Sequence, residues 1–243
     1  MKADTLRQIY RKDVLKLSEF EILMEIEDIL KIKAKKPPKW KGWITDNPGD
    51  YVKDGKIDVS KLIALYDKGP KVFEYIITLS FTSICNRPKD LFSLIREQKS
   101  GNRVLEYGSG VSTHGIACAA RGCEVHAFDI SSTMIKYSKS RYVKRGLSAS
   151  FHLAEDTLPK DYFDMIVCAD VVEHVPDPLL LLNTLTDCLK TGGKIHFHVS
   201  KMKSWQKGHL PQAINQWFKI CVPILNGRFE KVSSHNYILR NRI

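Results

Sequence analysis

Val104-Leu105-Glu106-Tyr107-Gly108-Ser109-Gly110-Val111-Ser112-Thr113 decides how the chain is read. A short apolar run passes into Gly108 and Gly110, with Ser109 between them. There the backbone must turn tightly and admit a ligand with no Cβ in the way. The helix-compatible stretch 113–121 follows, and its first turn offers unpaired N–H groups. A second apolar run, Val125 to Asp129, ends on an acid nineteen residues beyond Gly110. An acid at that distance, with Ile130 beside it, is placed to accept hydrogen bonds from ribose hydroxyls. A glycine turn of the GxGxxG kind wants a third glycine where Thr113 stands, and Glu106 precedes the loop. A carboxylate there repels a pyrophosphate but suits a cation.

Outward from this stretch, short apolar runs alternate with helix-compatible segments. The predicted strands are Val104–Tyr107, Val125–Asp129, Ser150–Leu153, Phe163–Ala169 and Lys194–Val199; the predicted helices are 113–121, 132–145 and 178–190. Strands alternating with helices predict an α/β fold, a mostly parallel sheet with helices on both faces. Phe229–Ser233 and Tyr237–Arg240 are too close in sequence for a parallel crossover, so they predict a terminal antiparallel hairpin. The first part of the chain reads differently. Residues 19–33, 60–68, 71–84 and 88–98 carry helical patterns, and Trp40 to Gly55 reads as a loop. The expected organisation is a helical extension or cap over residues 1–99 and a cofactor-binding unit over 100–243. In it the early helices fold over the cofactor, and residues 200–225, with Trp205, His209 and Trp217, form the other wall.

A nucleoside cofactor with positive charge and no phosphate fits the loop best, and S-adenosyl-L-methionine has both an α-ammonium and a sulfonium. On these residues the sequence resembles the class I S-adenosylmethionine-dependent methyltransferases over roughly residues 100–243. Their acid-x-Gly-x-Gly-x-Gly motif matches Glu106 to Ser112, with Ser112 in place of the last glycine. Asp164, the string Asp170-Val171-Val172-Glu173-His174-Val175-Pro176-Asp177-Pro178 and the segment Leu189-Lys190-Thr191-Gly192-Gly193 also match. The resemblance implies a Rossmann-like seven-stranded sheet. It also implies cofactor contacts from Glu106, Gly108, Ser109, Gly110, Asp129, Ile130 and Asp170, with Ala154 and Glu155 (or Asp156) near the adenine. The motif is closest to small-molecule methyltransferases of the ubiquinone-biosynthesis O-methyltransferase kind.

Methyl transfer from a sulfonium needs alignment, and a proton acceptor where the methyl acceptor is a hydroxyl or amine. Asp170, Glu173 and His174 fall at i, i+3 and i+4, so a helical turn would put them on one face. His174 is the natural general base, since imidazole titrates near neutrality; Glu173 and His209 are further catalytic candidates. The resemblance extends to a metal-binding motif of small-RNA 2′-O-methyltransferases and ubiquinone-type enzymes. It implies Asp170, Glu173, His174 and His209 as ligands for a divalent metal. His196 and His198 alternate on the fifth strand and read as packed or at the sheet edge; His114 and His126 read as structural.

The 243 residues carry a net charge of +11, and the segment from Lys190 onward holds ten Lys/Arg against Glu230 alone. A second basic run comprises Lys31, Lys33, Lys35, Lys36, Lys39 and Lys41. Such charge favours acidic or phosphate-bearing partners. The leading expectation is transfer to a small molecule bearing O, N or S nucleophiles. An RNA or tRNA methyltransferase and a non-catalytic cofactor-binding scaffold are the alternatives. Six scattered cysteines without a CxxC pair read as small buried hydrophobes. Neither a secretory signal nor an apolar run of membrane-spanning length is visible, so a cytoplasmic location is expected.

Overall fold

A computed structural model of the protein describes residues 19–31, 33, 51–53, 56–69, 71–85, 89–200 and 209–240. Among these, the early helices are α1 (Glu19–Leu30), α2 (Val59–Lys68), α3 (Val72–Cys85) and α4 (Lys89–Glu97). Strands β1 (Val52–Lys53) and β2 (Lys56–Ile57) pair antiparallel, so the end of the expected loop is a small hairpin. The main sheet comprises β3 (Arg103–Tyr107), β4 (Glu124–Phe128), β5 (Ser150–His152), β6 (Phe163–Ala169), β7 (Leu189–His198), β8 (Phe229–Lys231) and β9 (Asn236–Leu239). Its order is β5-β4-β3-β6-β7-β9-β8. The first five strands in that order run parallel, and β9 lies antiparallel to both β7 and β8. This is the Rossmann-like seven-stranded sheet that the alternation and the short final turn predict. The crossovers are α5 (Thr113–Ala119), α6 (Ser132–Lys144) and α7 (Pro178–Cys188). Helix α8 (Pro211–Gln216), a π-helical turn Trp217–Cys221 and α9 (Val222–Arg228) lead into β8.

Strand geometry divides the core. On β6, Ile166 and Cys168 face one side with Leu105, Ile195, Leu182 and Trp217, while Met165 and Val167 face the other with Val104, Val125, Ile116 and Leu91. Two boundaries differ from the sequence reading at one place. The helix expected over 178–190 stops at Cys188, and the last parallel strand begins at Leu189. Leu189 pairs with Phe163, and a register shift then brings Lys194 opposite Met165. Gly192, at φ 79°, lies in this irregularity, where apolar periodicity is silent. Trp217 is not a cavity wall: it is 3% exposed and packs on Phe197 with ring centroids 4.8 Å apart. Trp40, Trp43, Trp205 and the lysines at 35, 36, 39 and 41 lie outside the described residues. The cysteines at 118, 123, 168, 188 and 221 are buried free thiols.

The early helices are tied to the sheet unit by polar contacts that periodicity does not reveal. Glu25 of α1 is buried and ion-paired to Arg145, which it also meets at 3.2 Å through Nη2, and to Arg141 at 3.5 Å. Arg141, 1% exposed, donates to the Val111 carbonyl and to Thr113 Oγ1 at 3.1 Å, just beyond the glycine turn. Asp67 at the end of α2 accepts from Ser132 Oγ at 2.9 Å and Thr133 N at 3.0 Å, capping α6 from outside.

Burial pushes the Glu25 carboxyl up, but Arg145 and Arg141 outweigh it and hold it below the usual range. A depressed folded pKa contributes stability that is present above the unfolded value and lost as pH falls through the folded one. Glu25→Gln, which strands two guanidinium groups, is therefore expected to lose about 2–4 kcal/mol at pH 7. In urea melts followed by circular dichroism its deficit against wild type should narrow as pH falls below the usual carboxylate range. A deficit independent of pH would contradict the ion pair.

Candidate active site

The glycine turn is built around one buried carboxylate. Glu106, 3% exposed on β3, accepts from Ser112 Oγ at 2.6 Å, Gly115 N at 2.9 Å and His114 N at 3.3 Å; its Oε1 also meets His114 Nδ1 at 2.8 Å. Ser112 adopts φ 49°, the left-handed region that a glycine there would occupy freely. Its hydroxyl bond to Glu106 offsets the strain, which accounts for serine at a glycine position. Gly108 is constrained more severely. At φ 67°, a Cβ on it would come within 2.3 Å of Val171. The residues called for the amino-acid end of the cofactor, Glu106, Gly108, Ser109 and Gly110, all line one cavity of about 320 Å³.

Asp129 stands at the carboxyl end of β4 in the same cavity, with Ile130 beside it. Its Oδ2 accepts from Gly110 N at 2.7 Å and its Oδ1 from Ser131 N at 2.9 Å. Burial pushes its pKa up to about 6, with the Glu106 charge adding to the effect, against the lowering by the Ser131 and Gly110 amides. Tyr107 and Phe128 stack next to it, with centroids 4.4 Å apart and planes at 10°. Ala154 and Glu155, called for the adenine, are exposed and do not line the cavity. Asp156 instead accepts from Leu153 N at 2.7 Å and closes a local turn.

Across the cavity the string after β6 does not form the expected α-helical face. Val172–His174 is a single 3-10 turn, and Asp170 before it has φ 57°. The turn separates the three called residues. Asp170 points to β7, where its carboxylate meets His198 Nδ1, whereas Glu173 and His174 face His209. One ligand atom each from Glu173, His174 and His209 fits within a 4.8 Å span. Asp170 is therefore corrected out of the metal-ligand set, because the left-handed backbone carries its carboxylate to another strand. Glu173 is buried, and its Oε1 accepts from Ser200 N at 2.9 Å. His174 Nδ1 lies 2.8 Å from the Tyr66 hydroxyl, and its ring packs edge-on to His209 with centroids 4.9 Å apart. Burial raises the Tyr66 pKa well above its ordinary value, so the phenol keeps its proton.

Sequence reasoning missed Tyr66, Tyr75 and Leu79, which reach the cavity from α2 and α3. It also left His114 and His198 out of the site. An aromatic on an amphipathic helix has the same pattern whether it faces a core or a ligand, so nothing in the spacing marks the first three. His114, read as structural, serves Glu106 and lines the cavity as well. His196, read as packed, is buried and bonded to Asn236 Oδ1 at 2.7 Å through Nδ1; burial holds it neutral.

The raised pKa of Asp129 makes both stability and cofactor affinity depend on pH. In the ligand-free protein its ionisation costs stability as pH rises from the unfolded carboxyl value towards about 6. Ribose hydroxyls need the ionised acceptor, so S-adenosylhomocysteine should bind more weakly below that pH, approaching tenfold per pH unit. Calorimetry at pH 6 in buffers of different ionisation enthalpy should show proton release on binding. Asp129→Ala should weaken binding at least about tenfold and abolish the pH dependence; a pH-flat wild-type affinity would refute the assignment.

A family model described as "Methyltransferase domain" matches residues 81–232, more than half of the chain. The ubiquinone biosynthesis O-methyltransferase of Idiomarina loihiensis is 32% identical over 114 residues, covering 44% of this chain and 47% of that protein. The one from Xylella fastidiosa (strain 9a5c) is 33% identical over 103 residues, 40% of this chain and 41% of that protein. The matched segment thus spans less than half the length of these relatives. Among solved structures, a putative S-adenosyl-L-methionine-dependent methyltransferase from Methanococcus maripaludis superposes with a TM-score of 0.55 at 17% identity, covering 73% of this chain and 95% of that one. Phosphoethanolamine N-methyltransferase 2 of Haemonchus contortus, in complex with phosphomonomethylethanolamine and S-adenosylhomocysteine, gives 0.52 at 21% identity over 68% of this chain and 42% of that one. At these identities the two structures speak for the fold. With the glycine turn, the acid at 129 and the seven-stranded sheet, the family match identifies the chain as a class I S-adenosylmethionine-dependent methyltransferase.

Proposed function

We propose that the chain methylates a hydroxyl group on a small, flat and largely apolar acceptor, such as a catechol-like ring. The observation that carries this reading is the lining of the cavity at the glycine turn. Its described wall contains four carboxylates, Glu106, Asp129, Asp170 and Glu173. Negative charge suits a sulfonium cofactor and disfavours a phosphate-bearing acceptor. Tyr66, Tyr75, Leu79, Val171 and Val175 give the remainder an aromatic and aliphatic surface, suited to a ring. The relatives named as O-methyltransferases support oxygen as the accepting atom. We assign residues 1–99 as the cap over this acceptor region and 100–243 as the cofactor-binding unit.

Bound S-adenosylmethionine supplies an activated methyl group whose transfer discharges the sulfonium. The chain's own residues hold the ribose at Asp129, the amino-acid end at the glycine turn, and the acceptor between the α2–α3 wall and the turn after β6. His174, held by Tyr66, faces that acceptor region with His209 and Glu173. The alternative of an RNA substrate draws on the basic carboxyl-terminal segment. Part of that charge is engaged internally: Lys190 pairs with Asp164 at 2.6 Å and Lys194 with Glu97 at 2.7 Å. Among the described residues no helix is long and apolar enough to cross a membrane.

A second reading has one specific observation behind it. Glu173, His174 and His209 offer a carboxylate and two imidazoles within 4.8 Å, a donor set that suits Mg²⁺, Mn²⁺ or Zn²⁺. A cation there would lower the pKa of an acceptor hydroxyl. If it is required, dialysis against EDTA abolishes turnover and Mn²⁺ or Zn²⁺ restores it; undiminished turnover after EDTA removes this reading.

One assay separates the three functions. Radiolabelled S-adenosylmethionine is incubated with the protein and with catechols, or with bulk tRNA at low salt. Label in a methyl ether and none in tRNA is the expected outcome. Label in tRNA alone favours the RNA reading, and calorimetric cofactor binding without transfer to any acceptor favours the scaffold.

A further inference from the structure

We infer that His198, oriented by Asp170, is the proton acceptor for the methylated hydroxyl; this assignment rests on the reading above. Both side chains line the cavity, and they come from the carboxyl ends of neighbouring parallel strands, the edge at which open α/β sheets bind ligands. Ala169 is in register with His198, and Asp170 N donates to the His198 carbonyl at 2.8 Å. Beyond that last rung the chain would continue as strand. Instead Asp170 turns to φ 57°, the left-handed region, which aspartate enters more readily than most residues other than glycine and asparagine. The turn folds its carboxylate back onto His198 Nδ1. A left-handed turn that delivers a carboxylate to an imidazole at a cavity wall is an arrangement for orienting a base.

The consequence for the ring is a defined tautomer. Nδ1 carries the hydrogen and donates it to Asp170 Oδ1, so the lone pair resides on Nε2. The carboxylate also stabilises the imidazolium that forms when Nε2 takes a proton. His174 is served differently: its Nδ1 partner is the Tyr66 phenol, a neutral group that keeps its proton. Of the four imidazoles lining the cavity, His114 and His198 each have a carboxylate on Nδ1; His114 is buried against Glu106 inside the glycine turn, whereas His198 is only partly buried and is the one open to an acceptor. The other titratable groups facing His198 are His235, with centroids 5.4 Å away, and behind it Asp90, which meets His235 Nδ1 at 3.1 Å. That pair lies on the α4 and hairpin side.

In the transfer step the acceptor oxygen forms a bond to the methyl carbon while its proton passes to His198 Nε2. The carbon–sulfur bond breaks, and its electron pair stays on sulfur as neutral S-adenosylhomocysteine. The positive charge of the sulfonium thus reappears on His198, and water then removes the proton. The cavity begins and ends the cycle with the same net charge.

The test uses the full chain and two catechols, 4-methylcatechol, which is neutral at pH 7.5, and 4-nitrocatechol, which is largely ionised there and needs no base. His198→Gln should lose about 100-fold or more in kcat on 4-methylcatechol, in the range expected for general-base removal, and less than about tenfold on 4-nitrocatechol. Its affinity for S-adenosylhomocysteine, measured by calorimetry, should stay within about twofold of wild type, since the base makes no ribose or amino-acid contact. Asp170→Asn, which keeps the shape and removes the charge, should show the same acceptor selectivity with a smaller loss. Equal losses on both catechols, no loss on either, or failure of both variants to fold would make the pair structural and overturn the assignment. Should wild type bind S-adenosylhomocysteine yet methylate neither catechol, the phenolic-acceptor reading falls and the base assignment with it. If wild type methylates them and the variants show no selectivity, only the base assignment falls.

Discussion

Glu106 is the constraint on which the site depends. Its carboxylate is buried near the carboxyl end of β3, the middle one of the five parallel strands, where an unsatisfied charge would be costly. The turn and helix that follow supply its donors: Ser112 Oγ, Gly115 N and His114 N. Satisfying that carboxylate fixes the path of residues 107–115. That path sets the direction in which the Gly110 amide points, and Gly110 N in turn reaches Asp129 Oδ2. Two acids on adjacent strands are thereby joined through one glycine turn. Gly115 completes the arrangement, since a Cβ on it would sit 2.7 Å from Glu106 Oε2.

The early helices extend this network outward. Arg141 holds the Val111 carbonyl on one side and Glu25 on the other, and Asp67 caps the helix that carries Arg141. The glycine turn, α6, α1 and α2 are therefore mechanically linked through a few charged groups with low exposure. Such groups specify geometry more than they stabilise it, because desolvation opposes the Coulomb gain. The same helices bring Tyr66 and Tyr75 to the cavity, so docking of the helices and shaping of the acceptor region are one event.

Much of this was legible in the residues. The period-two and mixed apolar patterns located all seven strands of the main sheet, and the short turn around His235 required an antiparallel pair. The cofactor half was legible too, since a strand, a glycine turn and a spaced acid are contiguous or nearly so. The acceptor half was not. The i, i+3, i+4 reading of Asp170, Glu173 and His174 assumed an α-helical turn, and the chain instead adopts a left-handed residue followed by a 3-10 turn. That choice is made by packing against β7, which a local pattern does not encode. Trp217 illustrates the same limit: an indole is equally suited to a core and to a ligand, and here Phe197 claims it.

By itself the sequence determined the order of strands and helices, the glycine turn, the acid at 129 and the basic bias of the chain. Those are properties of neighbouring residues, set by local backbone preference and apolar periodicity. Only the tertiary structure decided that Glu25 turns inward, that Asp170 leaves Glu173, His174 and His209 for His198, and which side chains of α2 and α3 reach the cavity. Each of these joins groups far apart along the chain, and a buried charge takes whichever partner the fold brings within reach. Pairing of that kind has no signature in spacing, because the energy that selects it exists only after the helices and strands have packed.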